Sequence, residues 1–125
     1  MKRKTYQAEG TTVAGPYSQA VEMDGWVYFS GQTPMDFETG KLVQGDMGIQ
    51  TSKCFENLKR VMDAASIQWD DVAKVTVFLT DMADFQAMNA IYAAIFSSPF
   101  PARTTIAVAA LPLGAQIEID MVAKR

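Results

Sequence analysis

The stretch Ser97-Ser98-Pro99-Phe100-Pro101-Ala102-Arg103-Thr104-Thr105 sets one arginine just past two prolines and directly before a run of strand-forming residues, Thr104 to Val108. Proline cannot continue a helix, and it restricts the residue before it. The elbow therefore delivers Arg103 to the first rung of a strand with a largely fixed stem. A guanidinium held in this way presents a planar fork of N–H donors, matched to a carboxylate or a phosphate. The same residues also fit a solvated arginine at a strand end, and this stretch alone does not separate the two.

The rest of the composition narrows the chemistry. The 125 residues contain no histidine and a single cysteine, Cys54. The commonest general base and the commonest zinc ligand are therefore missing, and a Cys–His nucleophile pair is excluded. One cysteine allows no internal disulfide and fits a reducing, cytoplasmic compartment. The net charge is −3, with no Lys/Arg cluster beyond the first four residues. Nucleic acid is thus not an expected partner. No apolar run approaches the roughly 18 residues of a membrane span. The basic start, Met1-Lys2-Arg3-Lys4, has no apolar segment behind it, so it does not read as a secretory signal. The length and the 49% hydrophobic content predict one packed domain over residues 1–125.

The elements that must position Arg103 follow from the spacing. Lys2 to Gln7 reads as a short edge strand. Gln19 to Met23 and Trp26 to Ser30 read as a strand pair joined at Asp24-Gly25, a tight-hairpin signal. The second of these is mostly apolar and is expected to be buried on both faces. Asp36 to Gly40 reads as a further turn. Asp46 opens a long helix whose stripe is Met47, Cys54, Phe55, Leu58, Val61, Met62 and Ala65. On that stripe Cys54 is a small core residue. Val72 to Thr80 is the clearest strand. Asp81 caps a second helix with stripe Phe85, Met88, Ile91, Tyr92, Ile95 and Phe96, and Asn89 lies at its border. The strand at Arg103–Ala109 is broken at Leu111-Pro112-Leu113-Gly114. Gln116 to Ala123 then alternates, with Ile117, Ile119 and Met121 on one face and Glu118 and Asp120 on the other. The order β-β-β-α-β-α-β-β predicts an α+β sheet with two helices on one face. Adjacency alone would pair the last two strands as a hairpin. The second sheet face, with Thr76 and Phe78, is too apolar for water, so an oligomer is expected.

Four pieces then stand out together: Gly15-Pro16-Tyr17-Ser18-Gln19-Ala20-Val21, Ser30-Gly31-Gln32-Thr33-Pro34, Pro101-Ala102-Arg103-Thr104-Thr105, and Ala110-Leu111-Pro112 with Ile117-Glu118-Ile119. Val75-Thr76-Val77-Phe78-Leu79-Thr80-Asp81 followed by Asp84-Phe85 is a fifth. In order and spacing the chain closely resembles the Rid family of reactive-intermediate deaminases, also called the YjgF family, from about Gly15 to Ala123. The resemblance implies a chorismate-mutase-like α+β fold with a mixed six-stranded sheet. It also implies a homotrimer with a site in each cleft between subunits. It places the final strand inside the sheet, between Trp26–Ser30 and Val72–Thr80, against the hairpin expectation.

The activity implied by the resemblance is hydrolysis of 2-imino acids and their 2-enamine tautomers to 2-keto acids and ammonia, without cofactor or metal. Arg103 would clamp the substrate carboxylate, Glu118 would hold and polarise the attacking water, and Tyr17 would close the site. Backbone groups at Gly31 and Thr105 would bind polar atoms of the substrate, with Ser30 and Asn89 shaping the pocket. Many members carry cysteine where this chain has Thr105, and the loop Ser97 to Phe100 is shorter than in some, which bears on pocket size. Two other functions belong to the same comparison: an endoribonuclease that inhibits translation, and a non-catalytic, ligand-binding or chaperone-like trimer.

Overall fold

In the structure, a computed structural model that describes residues 2–125, six strands form one mixed sheet. Met1, the start of the basic run, lies outside the described residues. The strands are β1 (Lys4–Tyr6), β2 (Ala20–Met23), β3 (Trp26–Gln32), β6 (Val72–Leu79), β7 (Ala102–Ala107) and β8 (Ile117–Lys124). They lie in the order β1-β2-β3-β8-β6-β7. Two further two-residue strands, β4 (Met35–Asp36) and β5 (Lys41–Leu42), pair with each other around the turn expected at Asp36–Gly40. The helices are α1 (Met47–Ala65) and α2 (Phe85–Ile95).

Local chemistry explains the boundaries. Asp24 and Gly25 both have positive φ, 55° and 80°, the conformation a two-residue hairpin between right-twisted strands requires. Asp46 caps α1 by accepting a hydrogen bond from the Ile49 amide at 2.9 Å. Asp81 caps a single 3-10 turn, Met82–Asp84, and not α2 directly; α2 begins one turn later, at Phe85.

The hairpin expectation for the last two strands fails. β8 lies between β3 and β6 and is antiparallel to both, while β7 pairs parallel with β6 on the sheet edge. The alternation explains why. β8 buries Ile117, Ile119, Met121 and Ala123 completely, which a central strand under a helix does and an edge strand need not. The parallel pairing of β6 and β7 demands a crossover, which α2 supplies.

Both helices cover one face. Their stripes meet Val27 and Phe29 of β3, Val75, Val77 and Leu79 of β6, and the inward residues of β8 in a single core. Phe55 of α1 stacks edge-on against Trp69, Tyr92 and Phe96, which locks α1 to α2. The opposite face is open. It shows Trp26 and Tyr28, 39% and 49% exposed, and Ile106 at 42%. The expectation that β3 is buried on both faces is therefore corrected for this chain: Val27 and Phe29 point under the helices, and Trp26 and Tyr28 point away from them.

The C-terminus fastens the far edge of the sheet. Arg125 donates to Glu22 at 2.9 Å and to the Ala65 carbonyl at 2.7 Å, tying β2 to the end of α1. The Arg125 guanidinium, with help from the Tyr6 hydroxyl 2.7 Å away, lowers the Glu22 pKa to about 2.

Candidate functional site

Glu118 stands on the open face of β8, opposite Phe78 of β6 in register. Burial pushes its carboxyl above the ordinary carboxylate range, and the neighbouring charge of Asp120 adds to the shift. Asp120 is also raised by burial, against the opposing pull of a Thr76 hydrogen bond and the Lys74 charge.

Gly31 of β3 reaches Glu118, and Ser30 shares its cleft, because the ladder slips. Phe29 pairs with Met121 and Gln32 with Ile119, so Ser30 and Gly31 together face the single residue Asp120. Such a bulge turns consecutive side chains to one side. Phe29 and Gln32 stay buried under the helices, while both Ser30 and Gly31 are left on the Glu118 side. Gly31 runs hard against the Glu118 side chain: a Cβ there would sit 2.8 Å from the carboxylate carbon and overlap an oxygen. The missing side chain makes that approach possible.

The loop before β2 closes the other wall. Buried Gln19 accepts from the Ala8 amide at 2.8 Å and donates to Thr11 Oγ1 at 2.9 Å. Ser30 Oγ donates to the Ser18 carbonyl at 2.6 Å. The loop is thus tied to the bulge, and Tyr17, 54% exposed, stands at the mouth. Tyr17, Ser30, Gly31 and Glu118 line one cleft of about 790 Å³, with Met35, Phe37 and Leu113 supplying apolar wall.

Arg103 is elsewhere. On β7 it pairs with buried Val75, which pairs with buried Met121, so it lies in a row on the helix-covered face. Its Nη1 donates to Asn89 Oδ1 at 2.6 Å. The guanidinium carbon lies 4.6 Å from the Tyr92 ring centre and 5.5 Å from that of Phe85. A second hollow, about 400 Å³, is lined by Arg103, Asn89, Tyr92, Phe100 and Pro101. Thr105, two residues along the same face, keeps its Oγ1 buried without a partner among the described residues. α2, and not the proline elbow alone, holds the arginine.

The structure thus brings together Tyr17, Ser30, Gly31 and Glu118 on one side of the sheet, and Arg103, Asn89 and Thr105 on the other. Sequence reading missed Gln19, Asp120, Phe85 and Tyr92. For Phe85 and Tyr92 a signal existed: with Asn89 they fall at i, i+4 and i+7, one face of α2. The Ser30–Gly31 bulge had no comparable signal.

The paired motifs agree with what comparison finds. Residues 8–125 match the family model described as Endoribonuclease L-PSP. A human protein named 2-iminobutanoate/2-iminopropanoate deaminase is 42% identical over 123 residues, covering 98% of this chain and 90% of its own length. The crystal structure of RidA from an Antarctic Psychrobacter superposes with a TM-score of 0.91 at 40% identity, over 98% of this chain and 100% of that one. E. coli TdcF with bound serine superposes at 0.89 with 33% identity, over 98% of both chains. With a family model spanning nearly the whole chain and relatives of this similarity along almost all of it, the chain belongs to the Endoribonuclease L-PSP family, the Rid/YjgF group that its motifs resemble.

Proposed function

We propose that the protein hydrolyses 2-imino acids and their 2-enamine tautomers to 2-keto acids and ammonia, in sites shared between copies of the chain. The observation that carries this reading is the Glu118 carboxylate. It is held in a cleft beside glycine backbone, with its pKa moved upward, toward the range where a carboxylate is an effective general base. The name of the human relative supports the substrate class, and the serine held by TdcF supports a site that takes an amino-acid-like carboxylate.

The division of labour follows from the two faces. Arg103 of one protomer clamps the substrate carboxylate with its free N–H edge. Its Nη1 is already bonded to Asn89, and the other donors remain for the ligand. Glu118 of a neighbouring protomer takes a proton from water as the oxygen attacks C2 of the imine. The C=N π pair moves to nitrogen, which receives the proton that Glu118 took from water, so the carboxylate is restored and a neutral carbinolamine forms. Glu118 then takes the carbinolamine hydroxyl proton and delivers it to the nitrogen, the C–N bond breaks with its electron pair leaving on ammonia, and the C=O of the keto acid remains. Tyr17 shields the cleft mouth and offers its hydroxyl to the substrate. Gly31 and Thr105 present backbone groups, and Ser30 holds the loop by its bond to Ser18. The apolar open face is the surface that a homotrimer would bury.

The test couples serine or threonine dehydratase to this protein and follows decay of the imine absorbance. Faster decay, lost in Arg103→Ala, supports the reading. Unchanged decay overturns it. Robust RNA cleavage by the same oligomer, tracking its elution, would put the endoribonuclease reading in its place.

A further inference from the structure

We infer that Phe85 and Tyr92 are positioning residues for the carboxylate clamp: the two rings set the plane of the Arg103 guanidinium, while Asn89 sets its rotation within that plane. This rests on the proposed role of Arg103 as the clamp. The geometry is independent of it. All three residues come from one face of α2, and all three reach the same guanidinium: 5.5 Å from the Phe85 ring centre, 4.6 Å from that of Tyr92, and 2.6 Å from Asn89 to Nη1.

A bidentate clamp is sensitive to plane as well as place, because both donors of the fork must point at both carboxylate oxygens at once. An arginine on an edge strand, with its head beside an open hollow, otherwise spreads over many rotamers, and binding would have to collect them. Rings beneath the guanidinium remove that freedom beforehand. The guanidinium carbon lies over both rings, and of the N–H donors only one is given to Asn89, so the others stay available to a ligand.

Tyr92 is a firm base for this. It is 4% exposed, packs at 4.9 Å against Phe96 and 6.0 Å against Phe55, and so transmits the rigidity of the core to the arginine. Its hydroxyl is buried with no partner among the described residues, so the ring is the part that acts. Phe85 is half-buried and stands outside that aromatic cluster, so it can be altered with less risk to folding.

The test has two readouts. The first is the 15N signals of the Arg103 guanidinium, assigned by their loss in Arg103→Lys, in the intact oligomer without substrate. Hindered rotation keeps the Nη signals apart in the parent, and Phe85→Leu broadens or merges them. The second is steady-state kinetics on a dehydratase-generated imine. Phe85→Leu raises KM about 3- to 10-fold with kcat within about twofold. Tyr92→Leu does the same or more, and Tyr92→Phe, which keeps the ring, restores both readouts. If Tyr92→Leu does not fold, Phe85→Leu decides. Merged signals in the parent, or a Phe85→Leu variant unchanged in both readouts, overturn the inference. Resolved signals that merge in Phe85→Leu, in a protein that turns over no imine, uphold the positioning role and sink only the deaminase reading.

Discussion

Arg103 and Glu118 point to opposite faces of the same sheet. The first pairs through Val75 with Met121, a row beneath the helices, and the second pairs with Phe78 on the open face. The sheet backbone stands between them, and no rotamer change brings both to one small molecule. If both serve one reaction, two copies of the chain must meet, the open face of one against the Arg103 edge of the other.

Subunit mixing tests that arrangement. Arg103→Ala and Glu118→Gln each keep about a hundredth or less of the parental activity alone. Unfolded together and refolded at equal amounts, they form mixed oligomers in which roughly a quarter of the sites pair an intact Arg103 with an intact Glu118. Activity returns to about that fraction of the parent. No recovery, or sedimentation of the parent as a 13.7 kDa monomer, contradicts the shared site.

Arg103→Lys separates charge from geometry. Lysine keeps the positive charge but loses the planar fork, the Asn89 bond and the guanidinium contact with the Tyr92 ring. A lost charge-assisted hydrogen bond of about 1.5–3 kcal/mol corresponds to a drop in kcat/KM of about 10- to 100-fold. Arg103→Ala loses more. A lysine variant with parental kcat/KM would leave the clamp without a role.

Glu118→Gln keeps the shape of the side chain and removes the proposed base. Turnover falls by about 10²- to 10⁴-fold, compressed toward the lower end because imines hydrolyse readily in water, while affinity for the keto acid product changes little. Normal turnover with weakened binding would make Glu118 a pocket wall and not the base.

Gly31→Ala probes the contact beside Glu118, the proposed base. The added Cβ overlaps the Glu118 carboxylate, which lies at the end of a flexible side chain and can swing aside. Thermal stability therefore stays close to that of the parent, while kcat drops at least tenfold because a displaced base no longer meets the water. Circular dichroism melting and the imine assay on the same sample give both quantities.

The Glu22–Arg125 pair makes stability depend on acid. Glu22 has its pKa lowered to about 2 in the folded chain, from an ordinary 4.5. A depressed carboxylate contributes stability that is fully present above its unfolded value and is lost as pH falls through the folded one. Glu22→Gln therefore melts below the parent at pH 7. The gap closes between about pH 4.5 and pH 2. A gap that stays constant with pH would show that the pair contributes packing and not charge.

The sequence by itself determined the repeating local order. The seven stripe residues of α1, Met47, Cys54, Phe55, Leu58, Val61, Met62 and Ala65, are all buried, and the alternation Ile117, Ile119, Met121 sorts β8 into two faces, because periodicity depends only on how side chains project from a regular backbone. The family motifs in register also marked Arg103, Glu118, Tyr17 and Gly31 as residues to watch. Tertiary structure alone decided the rest. Which strands are neighbours is a long-range choice, settled by burying β8 between β3 and β6 and leaving β7 at the edge. That choice separates Arg103 from Glu118 across the sheet, since parallel register with Val75 assigns Arg103 its face. The slip that turns both Ser30 and Gly31 toward Glu118 depends on pairing with a strand about 90 residues away, as the register Gln32 with Ile119 shows, and no local pattern in Ser30-Gly31-Gln32 encodes it.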